Sequence, residues 1–117
     1  MERLTDNILT SIKKMLGIDA EYTHFDADIT MHINSAFSTL TQIGVGPTDG
    51  FSIESGEETW DQFITEGGNC FSMVKSYVYL KVRLLFDPPA SSAVIDAIKQ
   101  QIAEYEWRLF VAADPAK

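Results

Sequence analysis

The segment that most constrains the fold is a long apolar run over residues 69–86, NCFSMVKSYVYLKVRLLF. Its length favours a helix, although the alternation over residues 77–84 also suits a strand. As a helix it carries two apolar stripes that cover more than half of its circumference. We therefore expect the central, most buried helix here, ending at Asp87-Pro88-Pro89 because two prolines cannot continue it. The stripes are Phe71, Val74, Val78, Val82 and Leu85, and Met73, Tyr77, Leu80 and Leu84.

The last predicted helix, which Ser91 or Ser92 caps and which runs to Ala113, has apolar residues on two opposite faces. We expect its half nearer the prolines to pack on the central helix. The second face lies near the helix end and needs a cover, either the preceding loop folded back over Trp107 or a partner surface. The core face is Val94, Ile95, Ile98, Ile102, Tyr105 and Leu109, and the second face is Ala103, Trp107, Phe110 and Val111.

Two earlier helices are predicted from apolar spacing. The first is capped by Thr5 or Asp6 and stops at Gly17, and its apolar stripe is Leu4, Ile8, Ile12 and Met15. The second follows a capping box in which Thr23 is the cap and Asp26 the third residue, and it ends near the breaker-rich sequence at Gly44.

Residues 47–68 form the least regular part of the sequence. Thr59 can cap a single helical turn with Trp60, Phe63 and Ile64 facing inward, or residues 51–54 can pair with 59–63 as a hairpin. The prediction is a mainly α fold, a bundle of about four to five helices with a long irregular loop or short β-hairpin at 47–68. We expect a single domain over residues 1–117, with residues 114–117 flexible.

The charge of the chain is unevenly distributed. The net charge is −8, and residues 15–74 contain ten acids but no Lys or Arg. This argues against nucleic-acid binding, which needs cations to neutralise phosphates. This acidic stretch fits three roles: a solubilising surface, a surface that repels a polyanion, and a surface that binds a basic partner.

The sequence contains no convincing catalytic or metal-binding pattern. His24 and His32 are eight residues apart on one predicted helix, about 12 Å at 1.5 Å per residue, too far to share an ion. Cys70 is the only cysteine, which excludes an intramolecular disulfide and fits a reducing compartment. No apolar run approaches the length of a membrane span. We expect no enzyme activity, no cofactor and no metal.

Five segments together resemble the head–tail connector (adaptor) proteins of long-tailed bacteriophages. They are ILTSIKKMLGI at 8–18, DITMHINSAFSTLTQIGVGP at 28–47, FSIESGEETWDQFI at 51–64, YVYLKVRLLFDPPASSAV at 77–94 and YEWRL at 105–109. The resemblance spans nearly the whole chain, and it depends on the order of the segments rather than on any one of them.

The resemblance implies a structural virion protein of the phage neck, made in the bacterial host cytoplasm. In such rings about a dozen copies sit between the portal and a tail-side connector or stopper protein, and DNA passes through without specific binding. The resemblance implies no cofactor and no membrane. The C-terminal segment tends to reach the portal, which fits the second face of the last helix. Loops tend to face the tail, which makes Phe51, Ile53 and Trp60 candidate loop contacts.

The alternative hypothesis is a small acidic helical module or regulator that captures a basic protein or mimics DNA. This hypothesis predicts a tight complex that salt disrupts.

Overall fold

A computed structural model describes residues 5–64 and 69–113, and in this part of the chain it contains five helices. Helix α4 lies at the centre and packs against α2, α5 and α1, and α1 also packs against α2. The mainly α prediction is confirmed. The helices are α1 (Ile8–Leu16), α2 (Asp26–Gln42), α3 (Trp60–Phe63), α4 (Asn69–Phe86) and α5 (Ser92–Ala113).

The apolar run of α4 is a helix and not a strand. Val74, Tyr77, Val78 and Val82 are buried, so one predicted stripe and part of the other face the core. Leu85, at the end of the helix, is exposed. The buried side chains of the described residues form one cluster, which comprises Ile8, Leu9, Ile12, Ile29, Ile33, Ala36, Phe37, Leu40, Ile53, Trp60, Phe63, Ile64, Val74, Tyr77, Val78, Val82, Ile102 and Leu109.

Helix α1 begins one residue later than the nearest predicted cap, Asp6, would place it. Its N-cap is Asn7, whose side-chain oxygen accepts a hydrogen bond from the Thr10 N–H at 2.9 Å. Its C-cap is Gly17, in the left-handed conformation at φ 83°, as the sequence predicts. Leu4 lies outside the described residues.

Helix α2 is not entered through the predicted capping box. Its N-cap is Phe25, which makes no side-chain capping bond. The carboxylate of Asp26 instead pairs with the ammonium of Lys13 on α1, at 2.8 Å. The capping prediction based on Thr23 was therefore wrong, because a tertiary contact takes the carboxylate that the local motif needs.

The loop before α3 has no hairpin in the described residues, and the single-turn helix is confirmed. Trp60, Phe63 and Ile64 are buried, as predicted for that turn. The Thr59 N–H donates to Oε1 of Gln62 at 3.1 Å, which orients the start of the turn. One isolated antiparallel bridge joins Thr59 to Asn7.

Asn34 on α2 holds the loop against the bundle. Its amide nitrogen donates to the carbonyl of Ile53 at 2.9 Å, and its amide oxygen accepts from the Ile53 N–H at 2.7 Å. Both backbone groups of Ile53 are thus satisfied by one side chain, which allows an irregular segment to enter the core.

Helix α5 starts as predicted but packs differently. The Ser91 hydroxyl accepts from the Val94 N–H at 3.3 Å, which caps the helix. However, Val94 is 46% exposed, and the buried residues of α5 are Ile102 and Leu109. Ile98 and Tyr105 are half-buried against the core cluster, so the predicted core face does contact the bundle, but this contact does not include Val94 at the start of the helix.

Candidate interaction surface

The second half of α5 carries an exposed apolar surface, opposite the side that faces the core. Trp107 is 66% exposed and Phe110 is 53% exposed, and Ala103 is also exposed. Val111, at the edge of the group, is half-buried. Residues three and four apart on a helix are neighbours, so these side chains form one patch, called here the α5 patch. No described loop covers Trp107. The first alternative, in which the preceding loop folds back over this side chain, is therefore wrong.

The opposite side of α5 is anchored to the core, and this fixes the position of the α5 patch. Ile102 and Leu109 are buried, and Tyr77 of α4 donates its hydroxyl to Oε2 of Glu106 at 2.7 Å. Burial, together with the hydrogen bond and negative charge of Glu106, raises the pKa of Tyr77 well above its ordinary value. The phenol therefore stays protonated and remains a donor at neutral pH.

An anchored helix bearing an exposed Trp and Phe is suited to bind another protein. Aromatic side chains lose little conformational entropy on binding and bury large areas, so they often dominate the energy of interfaces. Arg108, beside Trp107, is exposed and pairs with Glu104 at 3.2 Å, which places polar groups at the border of the α5 patch. An apolar centre with a polar border is the usual arrangement of a contact surface.

The candidate loop contacts are not on a comparable surface. Ile53 and Trp60 are buried, and the indole N–H of Trp60 donates to the Ser11 hydroxyl at 3.2 Å. Phe51 is half-buried and packs edge-on against Phe37, with ring centroids 5.1 Å apart. Ile53 and Trp60 therefore hold the loop onto the bundle and offer no exposed surface in this conformation, which corrects the expectation for these two residues, while the contact of Phe51 stays a prediction.

The loop surface is instead polar and negative. Glu58 accepts hydrogen bonds from the backbone N–H groups of Glu54 at 2.8 Å, Ser55 at 3.2 Å and Gly56 at 3.1 Å. Burial alone would raise the pKa of Glu58, but these backbone donors outweigh it, and the pKa lies below its ordinary value. Glu58 therefore stays ionised and closes the loop turn.

Positive charge is confined to a few parts of the chain. Residues 75–113 contain five Lys or Arg and four acids, whereas residues 15–74 contain ten acids and no Lys or Arg. Lys99 and Arg108 of α5 are exposed, while Lys13 of α1 is buried. The stretch that contains α2 and the loops is therefore strongly negative, and the stretch that contains most of α4 and α5 is nearly neutral.

Sequence reasoning missed the buried Lys13. It lies on α1 beside the apolar residues that were assigned to the core, and lysine is rarely buried without a partner. Its partners are Asp26 and two backbone carbonyls of the connection between α1 and α2. No local pattern in the sequence indicates this contact.

The described residues, 5–64 and 69–113, contain no cluster of three His, Cys, Asp or Glu side chains that could hold a metal ion. His24 precedes α2 and packs on Phe25, with centroids 4.7 Å apart, so it does not share a helix with His32 as predicted. Cys70 is a half-buried free thiol. None of the described helices is long and apolar enough to cross a membrane.

A family model described as phage connector protein matches residues 8–116, nearly the whole chain. No curated protein and no solved structure matches the chain.

Proposed function

Because the chain belongs to the phage connector protein family, we propose that it is a structural subunit of the head–tail adaptor in the virion neck. In this proposal about twelve copies form a ring that docks on the portal and receives a tail-side connector or stopper protein. The ring surrounds the channel through which DNA passes. The subunit is made in the host cytoplasm before it joins the particle, and it works by binding rather than by catalysis.

The observation that carries this proposal is the α5 patch. Trp107 and Phe110 are exposed on a helix whose other side is anchored by Leu109 and by the bond between Tyr77 and Glu106. Two large aromatic side chains exposed side by side do not stabilise a monomer, whereas a subunit of an assembly needs such a surface for its contacts. We assign Ala103, Trp107, Phe110 and Val111 to a contact with a neighbouring copy or with the portal.

The charge of the chain supports a role beside DNA that does not involve binding it. A net charge of −8 and a stretch of 60 residues without Lys or Arg, from 15 to 74, disfavour contact with phosphates. A negative channel wall would keep the genome from adhering as it passes.

Electron microscopy of the chain mixed with the portal protein of the same phage tests this proposal. We expect a ring seated on the portal. In the same assay Trp107→Ala with Phe110→Ala should abolish docking or ring closure while leaving the thermal unfolding midpoint of the monomer close to that of the wild type. Val94→Ala is the matched control, since Val94 is an exposed apolar residue at the other end of α5.

Two results would contradict the proposal. A chain that joins neither portal nor virion at any concentration is not a neck protein. The chain is the acidic binding module instead if its main partner is a basic protein that high salt releases and that the Trp107→Ala, Phe110→Ala variant still binds. Salt screens the exposed charge pairs on which such a complex depends.

A further inference from the structure

One face of α4, outside the arc of its buried residues, carries hydrogen-bond donors and no acids. Residues 69–86 contain no Asp or Glu at all. Placed at about 100° per residue, five polar side chains of this helix fall within one arc of about 100°. One of them, Ser72, is exposed, and the other four are half-buried. This set, called here the donor stripe, is Ser72, Lys75, Ser76, Tyr79 and Arg83.

The two cations of the donor stripe are held in place by aromatic side chains of the same helix. The ammonium of Lys75 lies over the ring of Phe71, 5.7 Å from its centroid. Nη1 of Arg83 donates to the hydroxyl of Tyr79 at 3.1 Å. Among the described residues, neither cation has a carboxylate within 4.0 Å. Both cations are therefore oriented without being neutralised.

Several donors of this face have no acceptor in the described part of the chain. The Nε of Arg83 is buried and bonds to none of the described residues. Asp87, one turn further on, attracts the guanidinium but forms no ion pair with it among the described contacts. The hydroxyls of Ser72 and Ser76 likewise make no hydrogen bond to a described residue. Donors that are shielded from water and lack an acceptor carry a free-energy cost, which a bound anion would reduce.

The spacing of the two cations fits carboxylates better than a nucleic acid. Lys75 and Arg83 are eight residues apart, which is about 12 Å along a helix. Nucleic-acid binding without sequence preference depends on several phosphate contacts, and a chain of net charge −8 repels a polyanion. A short protein segment with two carboxylates at the same spacing supplies both acceptors with much less repulsion.

We propose that the donor stripe of α4 binds an acidic segment of another protein, whose carboxylates approach Lys75 and Arg83. This inference goes beyond the adaptor function and does not depend on it, because it concerns a different surface from the α5 patch. The α5 patch is apolar, whereas the contact at the donor stripe depends on charge. Salt should therefore weaken binding at the donor stripe more than binding at the α5 patch.

An NMR titration of the ¹⁵N-labelled chain tests this inference. The probe is a synthetic helical peptide that carries two glutamates eight residues apart and is otherwise uncharged, and the control peptide has glutamines at both positions. We expect the glutamate peptide to shift the backbone amides of the donor stripe and the Nε–H resonance of Arg83. The glutamine peptide should shift neither. Added salt should weaken the binding of the glutamate peptide.

Variants of equal charge separate the donor stripe from the net charge of the chain. Lys75→Gln with Arg83→Gln should weaken binding of the glutamate peptide about tenfold, because both charge-assisted bonds are lost. Lys81→Gln with Lys99→Gln is the matched control, since these cations lie outside the donor stripe, and it should change the affinity by less than about twofold. Tyr79→Phe keeps both charges but releases Arg83, so it should weaken binding to a smaller extent. Circular dichroism of every variant shows whether the helical fold is retained.

Several outcomes would overturn the inference. Absence of shifts at the donor stripe means that it does not bind acidic segments. Equal loss of binding in the Lys81→Gln, Lys99→Gln variant means that net charge alone attracts the peptide. Binding of a short DNA duplex that only Lys75→Gln with Arg83→Gln removes assigns the surface to a nucleic acid, and self-association that the same variant removes assigns it to a second copy. Rings on the portal would still be expected in each case.

Discussion

Lys13 and Asp26 form an ion pair inside the protein, with Nζ 2.8 Å from Oδ1 and the lysine side chain only 2% exposed. The same ammonium donates to the carbonyls of Ala20 at 3.1 Å and Tyr22 at 2.7 Å. The ammonium therefore has two carbonyl acceptors and one anionic partner, which lowers the cost of burying a lysine. The pair ties the end of α1, the connection after it and the start of α2 into one unit.

Removing this ammonium should destabilise the protein strongly. We expect Lys13→Met to lower the free energy of unfolding by about 3 kcal/mol, because it leaves a carboxylate and two carbonyls without their donor. Urea unfolding followed by circular dichroism measures the change. Lys14→Met is the matched control, since Lys14 is the exposed neighbour on the same helix. An equal effect of the two substitutions would show that the buried contact contributes little.

Gly46 should not tolerate a side chain. Its φ is +87°, and a Cβ at this position would overlap the ring of Phe63. Gly50 has a similar φ of +92° but open space around it. Gly50→Ala therefore measures the backbone strain alone. We expect Gly46→Ala to cost about 2 kcal/mol more than Gly50→Ala in thermal or urea unfolding, because the core must also shift. Equal costs would mean that Phe63 moves away freely.

Asn34 should affect the local stability of the loop more than that of the helices. Asn34→Ala removes both bonds to the backbone of Ile53, and we expect a loss of about 2 kcal/mol with faster hydrogen exchange of the Ile53 amide. Ser35→Ala, at the exposed neighbouring position, is the control. Unchanged protection of Ile53 in Asn34→Ala would show that the packing of the loop residues alone holds it.

Glu58 should make stability depend on pH on the acid side. Its pKa in the folded protein lies below its ordinary value of 4.5, so its contribution is present above that value and is lost as the pH falls through the folded pKa. We expect Glu58→Gln to be less stable than the wild type at pH 7, with the difference shrinking as the pH falls below 4.5. Urea unfolding of both proteins across this range measures it, and a constant difference would contradict the assignment.

Tyr77 should make stability depend on pH on the alkaline side. Its pKa in the folded protein is raised above the ordinary value of 10.0, so its contribution is present below pH 10.0 and is lost as the pH rises beyond it. We expect Tyr77→Phe to cost about 1 kcal/mol at pH 7, since it breaks the bond to Glu106. Above pH 10.0 the wild type should lose stability that the variant keeps. Parallel unfolding curves of the two proteins at every pH would disprove the role of this bond.

The sequence by itself determined the helical class of the fold and most of its helices. The apolar spacing of residues 69–86 and the proline pair after them define α4, and Gly17 marks the end of α1 as observed. These features are local, because a residue period and a backbone conformation do not depend on distant neighbours. For the segment around Trp60 the local pattern left two alternatives open, a helical turn and a hairpin, because the inward-facing residues suited either structure.

Only the tertiary structure decided which side chains are buried and which face outward. The ion pair of Lys13 with Asp26, the clamp of Asn34 on Ile53 and the bond of Tyr77 to Glu106 join residues 13, 19 and 29 positions apart. No helical period encodes such distances. The same holds for α5, whose two apolar faces are visible in the sequence. Which of these residues are buried depends on where α4 and its neighbours lie, and their packing buries Ile102 and Leu109 and leaves Trp107 and Phe110 exposed.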